Sequence, residues 1–207
     1  MVGDTPESVC TLAMTYLGAD EVQELETPET QEEVICARIY PNLKQSILSM
    51  YPWRFAMKTQ QLSRDVAVPP VHWSYQYTLP TDRLKNEPYR LYPSEQAGDN
   101  TIRDYETVGD KLFTNQPTLF MQYNYSAAES EWPPYFVEFV AHALAARAAI
   151  PVTGDTQLQQ TYTLLAFGPE GTGGALFRTA KKRDADDRPS RIVQDNAFID
   201  ARFGPVW

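Results

Sequence analysis

Apolar residues near the start of the chain recur every three to four positions, which is the spacing of one buried helix face. The first such stretch covers residues 6–17, with a proline in its first turn and Gly18 as a stop signal. The second begins after Thr27, the predicted N-cap, and continues to about Tyr51. Pro41 lies inside the second stretch. Because proline lacks the N–H that a helix interior needs, we predict a kink or a break there.

Between residues 57 and 127 the apolar positions alternate with polar ones, which indicates strands. The clearest alternation is found in residues 73–79, where large aromatic side chains are separated by smaller ones. Residues 101–108 and 111–114 flank a Gly-Asp pair, which is typical of a hairpin turn. These features predict a compact antiparallel meander of four or five strands.

Helical spacing returns over residues 133–150, which open with a proline pair. A further helical stretch starts at Thr153 or Asp155 and is followed by a glycine-rich break at residues 168–174. A helix then resumes from residue 175 to about 184. The chain is thus helical on both sides of the predicted strands.

The predicted fold class is α+β, a helical bundle of about four helices with an inserted antiparallel β-meander and an extended C-terminal arm. We divide the chain into a helical N-terminal part of the core (1–56), a β insert (57–127), a helical C-terminal part of the core (128–187) and the arm (188–207). The arm contains two prolines and no regular period. We expect it to be held extended against another subunit.

Composition narrows the class of protein. The chain is 43% apolar and 12% aromatic, which is enough material for a packed core. Its net charge of −9 argues against a general affinity for nucleic-acid phosphates and suits a surface that DNA slides past. We see no signal-peptide pattern and no apolar run approaching the roughly 20 residues that span a bilayer. We therefore expect no membrane partner and a cytosol-like compartment.

The residues that most often carry chemistry are few. Cys10 and Cys36 are interpreted as small buried apolar residues, with a disulfide left open. His72 and His142 have no nucleophile and carboxylate at a recognisable spacing, and the two pairs together give no zinc signature. The glycine-rich run at 168–174 lacks the Lys-Ser/Thr ending of a phosphate loop and follows a helix. We predict no catalytic residue, no metal and no cofactor.

Charged residues cluster in two places. Six basic residues lie between Arg178 and Arg191, interrupted by aspartates, and acidic residues cluster over 20–33. The basic cluster fits either a solvated helix end or a mixed-charge rim that meets a complementary ring. Because a cyclic contact joins two different surfaces, the two clusters could meet on adjacent subunits. The aromatic strand at 73–79 lacks Lys or Arg, so core packing explains it better than base stacking does.

Four short sequences occur in a fixed order: YPWRFA at 51–56, YTLPTDRL at 77–84, DKLFTN at 110–115 and WPPYF at 132–136. Each is short, but their order and spacing together resemble the tail tubular protein A group of phage head-to-tail adaptors. The resemblance covers roughly residues 6–167. The glycine-rich break and the arm depart from the pattern of the group.

The resemblance implies a structural, non-enzymatic protein of a tailed-phage virion, assembled in the host cytoplasm and located at the head–tail junction. It implies a ring, commonly a dodecamer, between the portal protein and the next tail or nozzle protein. The helical part would form the ring wall and face the portal, while the β insert would project outward or towards the tail. DNA would pass through the lumen without specific binding.

Interface residues are predicted rather than catalytic ones, because buried aromatic anchors often dominate an interface. Trp53 and Phe55 would anchor the helix–sheet junction, and a hook from Phe203 to Trp207 would dock on a neighbour. The predicted mixed-charge rim consists of Lys181, Lys182 and Arg183. Two alternatives stay open. One is a host-side adaptor with no phage role. The other is a phage tail-associated hydrolase, which would use the cluster of Glu129, Glu131 and Glu138.

Overall fold

The computed structural model of the chain describes residues 4–67, 69–70, 72–95, 100–169 and 175–186. Its helices are α1 (Pro6–Leu17), α2 (Gln31–Met50), α3 (Pro134–Thr153), α4 (Thr156–Phe167) and α5 (Ala175–Asp186). Its strands are β1 (Met57–Gln61), β2 (Tyr75–Thr78), β3 (Arg90–Tyr92), β4 (Tyr105–Val108), β5 (Lys111–Thr114) and β6 (Phe120–Asn124). This mixture confirms the α+β class. The predicted arm, with Phe203 and Trp207, lies outside the described residues.

Helix α1 has the boundaries that the sequence predicts. Thr5 caps its first turn, since the Thr5 hydroxyl accepts the Ser8 N–H (3.2 Å) and the Ser8 hydroxyl accepts the Thr5 N–H (2.9 Å). Gly18 ends the helix at a φ of 70°, a conformation that favours glycine. Polar signals at both ends therefore fix this helix.

Helix α2 corrects two expectations. It begins at Gln31, after an N-cap at Thr30, and Thr27 is not the cap. It also runs through Pro41 without a break. A proline inside a helix costs about 3 kcal/mol, and burial of Tyr40 and Leu43 on the apolar face offsets that cost.

Helix α3 is the centre of the helical layer and packs against α1, α2, α4 and α5. Alanines supply much of its buried surface, which allows close approach of the neighbouring helices. Its fully buried aromatic residues, Phe136 and Phe139, lie in the half nearer the β insert. Every other helix is therefore positioned by α3.

Helix α3 contradicts the expectation that no apolar run is long enough to span a bilayer. This helix is 20 residues long, and an 18-residue window in it has a mean hydropathy of 1.3. Within the described part of the chain it is the one helix long and apolar enough to cross a bilayer. However, 61% of that window is buried by the rest of the protein, as in the core helix of a globular fold.

The six strands form two antiparallel sheets, ordered β1–β6–β3 and β2–β5–β4. The predicted meander is wrong, because among the described strands only β4 and β5 are consecutive neighbours. Their hairpin turns at Gly109, as predicted. The first and last strands pair, with Met57 opposite Asn124, because β1 leaves the helices at the point where β6 returns to them. Alternation within a strand carries no signal for this pairing.

Buried apolar side chains form two clusters, one among the helices and one within the sheets. The sheet cluster consists of Leu62, Tyr77, Leu79, Leu91, Leu112, Leu119, Met121 and Tyr123. Tyr125 packs against both clusters. Burial of Tyr77 supports core packing as the role of the aromatic strand.

Candidate functional site

The junction between helices and sheets is built around Trp53. Its side chain is fully buried, and the indole N–H donates to the Ile47 carbonyl at 3.0 Å. The centre of its ring lies 4.9 Å from the ring centre of Phe136 and 6.2 Å from that of Phe55. Trp53 thus anchors the junction inside the subunit, and it has no exposed area in a single chain. Phe55 is partly buried in the same cluster.

A second tie at the junction comes from Asn124, at the end of β6. Its side-chain amide donates to the carbonyls of Leu48 (3.2 Å) and Tyr51 (2.9 Å), at the C-terminal end of α2. The residue four positions after Leu48 is Pro52, which has no N–H, so the Asn124 amide supplies a donor to an orphan carbonyl. The Tyr51 carbonyl also accepts the Trp53 N–H at 2.9 Å. Sequence patterns did not single out Asn124. A polar residue at the end of an alternating strand gives no hint of such a partner.

Helix α5 is tied to the same junction by Asp184, whose side chain is only 2% exposed. One carboxylate oxygen accepts the Arg54 backbone N–H at 3.0 Å and the Tyr135 hydroxyl at 3.4 Å. The C-terminal turn of α5 therefore lies against the start of α3. The sequence interpretation treated Asp184 only as an acid interrupting a basic run, and missed this role.

The predicted rim residues lie on the outer side of α5. Lys182 and Arg183 are exposed, and Lys181 is partly covered, with its ammonium 4.3 Å from the centre of the Phe177 ring. Burial of Asp184 fixes which side of the last turn faces inward, and so presents these cations to solvent. The structure thus exposes Lys182 and Arg183 in the last turns of α5, with Lys181 partly covered beside Phe177.

The acidic cluster is ordered by a buried carboxylate, Glu33. Its two oxygens accept backbone N–H groups from Gln23 (3.1 Å), Glu24 (3.3 Å), Glu29 (2.8 Å) and Thr30 (3.0 Å). These hydrogen bonds lower the pKa of Glu33 to about 2. The Thr-x-x-Glu spacing of a capping box at the start of α2 was the available signal for this residue, and the choice of Thr27 as the cap obscured it.

The loop that Glu33 holds is strongly acidic on its outside. Its exposed carboxylates belong to Asp20, Glu21, Glu24, Glu26 and Glu29. The first 37 residues contain nine acidic residues and no Lys or Arg, so their formal charge of −9 equals that of the whole chain. The remaining 170 residues are balanced, with 18 acidic and 18 basic side chains.

The acidic loop and the basic surface lie at opposite ends of α3. At one end, the Gln31 side-chain amide donates to the Pro151 carbonyl at 3.5 Å. At the other end, Asp184 of α5 meets Tyr135 in the first turn of α3. With a rise of 1.5 Å per residue, α3 is about 30 Å long. The two charged surfaces of one subunit therefore cannot neutralise each other.

The carboxylates considered for hydrolysis do not form an open pair. Glu129 is buried and accepts the Tyr40 hydroxyl (2.7 Å) and the Lys44 ammonium (2.9 Å). Burial and this hydrogen bond raise the pKa of Tyr40 well above its usual range. Glu131 accepts the Tyr125 hydroxyl at 3.0 Å, and Glu138 is exposed on α3. The first two carboxylates are engaged in bonds that hold the junction together.

Asp65 is a further polar anchor that the sequence did not reveal. Its carboxylate accepts the Lys111 ammonium (2.8 Å), the Thr78 hydroxyl (2.7 Å) and the Gln76 amide (2.8 Å). These bonds, with the one from Lys111 first, lower the pKa of Asp65 to about 2. Strand β1 belongs to the first sheet. These bonds hold the segment that follows β1 against the second sheet.

The cysteines and His142 have structural surroundings, while His72 is exposed. Cys10 and Cys36 are free and fully buried, and a hydrogen bond with Cys36 together with burial raises the pKa of Cys10. Nδ1 of His142 lies 2.9 Å from the Glu138 carbonyl, and the His142 ring packs on Tyr16. Across the described residues, no group of three or more His, Cys, Asp or Glu side chains could hold a metal ion.

Two clefts follow the edge of the β insert. The first, of about 530 Å³, is lined by Arg90, Arg103 and Tyr105 among others. The second, of about 490 Å³, shares Arg103 and Tyr105 and adds Glu87. Exposed guanidinium groups beside tyrosine rings are typical of a binding surface.

Comparison with known proteins adds no relative. No protein-family model matches the chain, and no curated protein matches it.

Proposed function

We propose that the protein is a structural, non-catalytic head-to-tail adaptor of a tailed bacteriophage. It forms a ring between the portal protein and a tail or nozzle protein, and DNA passes through the lumen of that ring. The four short sequences that resemble the tail tubular protein A group support this proposal, and so does the distribution of charge.

The observation that carries the proposal is the separation of the acidic loop from the basic end of α5. The loop presents five exposed carboxylates, and α5 presents Lys182 and Arg183. Because about 30 Å of α3 separates them, these surfaces can pair only between copies. Pairing of two different surfaces gives a head-to-tail contact, which closes into a ring when the rotation per subunit permits.

In the ring that we propose, the helices form a bundle that builds the wall, and the β insert projects outward or towards the tail. Bonds from Asn124 and Asp184 couple wall and insert, so that force on one is transmitted to the other. Residues 188–207 extend as an arm onto a neighbour, with Phe203 and Trp207 as its hook. A dodecamer is the expected copy number, assembled in the host cytoplasm and carried in the virion without a membrane partner.

The rival function, a tail-associated hydrolase, has less support. A glycoside hydrolase, the kind of enzyme that a glutamate cluster would serve, needs two carboxyl groups that face a substrate cleft. Here the best candidates, Glu129 and Glu131, are used by Tyr40, Lys44 and Tyr125. Their bonds serve packing, so a structural role accounts for them more directly.

Negative-stain imaging of the purified chain tests the ring. The wild type should give closed rings with a central hole, whereas Lys182→Glu with Arg183→Glu should give single subunits. A chain that also carries Asp20→Lys and Glu21→Lys should recover part of the ring formation, because two charges on each side of the contact are then exchanged while Glu24, Glu26 and Glu29 stay acidic. The matched control is Lys85→Glu with Arg64→Glu, two exposed cations of the β insert. Single wild-type subunits, or rings unaffected by the reversal on α5, would refute the proposal.

A further inference from the structure

Helix α4 has an exposed surface without a single charge. None of its twelve residues is Asp, Glu, Lys, Arg or His, and Ala166 is its one fully buried residue. Leu164 and Leu165 are 53% and 43% exposed. A surface helix of a subunit that stays alone normally carries charged residues on its outer side.

The inner side of α4 is well fixed, so the orientation of the outer side is defined. Leu158 and Tyr162 pack on the helical core beside the buried Ala166, at helical spacing of four. The Tyr162 hydroxyl donates to the Tyr16 carbonyl of α1, and Phe167 packs 5.5 Å from Phe139 of α3. Leu164 therefore lies on the opposite side of the helix.

The threonine hydroxyls near Leu164 are satisfied within the helix, and the exposed amide side chains of Gln157 and Gln160 lie on the same face. The Thr161 hydroxyl donates to the Gln157 carbonyl (2.9 Å), and the Thr163 hydroxyl donates to the Gln159 carbonyl (2.7 Å). Covering this face would therefore leave neither hydroxyl without a hydrogen-bond partner. Depletion of charge together with exposed leucine side chains is typical of an interface core.

We propose that the outer face of α4, centred on Leu164, docks on a second copy of this chain. This inference rests on the proposed ring and names the surface that forms the apolar centre of its subunit contact. The occupant follows from charge complementarity: α4 packs against α5, which carries the basic surface, and touches α1, which leads into the acidic loop. A copy that places its acidic loop on the basic surface is thereby brought beside α4.

The test compares Leu164→Lys with Val108→Lys in the full chain. Val108, on β4, is 57% exposed, so it is a matched control of similar exposure far from α4. Mass photometry over a concentration series should show the assembly midpoint of Leu164→Lys raised by tenfold or more, whereas Val108→Lys should match the wild type. In dilute solution, where the wild type dissociates, the melting temperature of Leu164→Lys should be unchanged.

The other outcomes separate the two proposals. Rings of Leu164→Lys that assemble like those of Val108→Lys would refute the docking role of α4 and leave the ring intact. A lysine-sensitive assembly that stops at a two-fold dimer would retain the contact but refute the ring adaptor. A lower melting temperature of the dissociated Leu164→Lys chain would show that a segment of the same chain covers α4, which also refutes the docking role.

Discussion

Helices α4 and α5 have the same length, twelve residues each, and both pack on α3, yet they face their surroundings differently. Six residues of α5 are charged, whereas α4 has no charged residue. The attachment of each helix is also different. Helix α5 is fastened by a buried carboxylate, Asp184, in addition to apolar packing of Phe177, whereas α4 is held by apolar packing and a hydroxyl bond from Tyr162.

This difference separates two tasks that a subunit contact must perform. Exposed charges steer partners and select orientation but add little stability, because water and salt screen them. Apolar area that leaves water supplies the larger favourable free energy. Neighbouring helices of equal length provide the two contributions here, so substitutions on each should affect different measurements.

The largest effect is expected for Asp184→Ala, which removes the polar fastening of α5. The change leaves the Arg54 N–H and the Tyr135 hydroxyl without this buried acceptor. Loss of a buried partner of this kind costs about 2–3 kcal/mol of unfolding free energy. Urea denaturation followed by circular dichroism measures it.

Asp186→Ala is the matched control, since Asp186 lies two residues further along α5 and is exposed. Its unfolding free energy should stay within about 0.5 kcal/mol of the wild type. If Asp184→Ala were equally neutral, the apolar packing of α5 alone would hold it, and the contrast between the helices would disappear.

The next effect concerns Glu33, which orders the acidic loop that the proposed ring places opposite α5. Glu33→Gln removes the negative charge to which four N–H groups donate, so the variant should be less stable at neutral pH. The hydrogen bonds hold the folded pKa at about 2, below the unfolded value of about 4.3. This stabilisation is therefore present above about pH 4.3 and is lost as the pH falls towards about 2.

Measuring unfolding free energy against pH for both chains isolates this contribution. Asp65, whose pKa is also about 2, titrates in the same window, but it is present in both chains and cancels in the difference. Glu26→Gln, an exposed residue of the same loop, serves as the control. A wild-type advantage over Glu33→Gln that persists unchanged to about pH 2 would contradict the role given to these bonds.

Local signals in the sequence predicted the boundaries of α1 and the hairpin at Gly109, because caps and turns depend on adjacent residues. The pairing of β1 with β6 joins positions as distant as Met57 and Asn124, and no spacing along the chain encodes it. Of the kink or break predicted at Pro41, the break is wrong for a related reason, since tertiary burial on either side outweighs a local penalty.

For the basic surface of α5 and the uncharged face of α4, too, the sequence showed only what adjacent residues determine. Lys181, Lys182 and Arg183 were found from sequence, because a run of cations is visible in one dimension. Asp184 was taken as part of that run, although its burial is what turns the cations outward. The uncharged face of α4 became apparent only once the structure showed which side of the helix is covered.

The smallest effect is expected for Tyr162→Phe. This change removes the hydrogen bond between α4 and α1 and keeps the aromatic ring of the side chain. The Tyr16 carbonyl loses the hydroxyl that donates to it, and one such bond contributes about 1 kcal/mol. Thr163→Val is the control, since it removes a hydroxyl from an exposed position of the same helix. In urea denaturation, Tyr162→Phe should lose less unfolding free energy than Asp184→Ala and more than Thr163→Val. Equal costs for Tyr162→Phe and Asp184→Ala would mean that α4 depends on a polar bond as strongly as α5 does, and the proposed contrast between their attachments would be wrong.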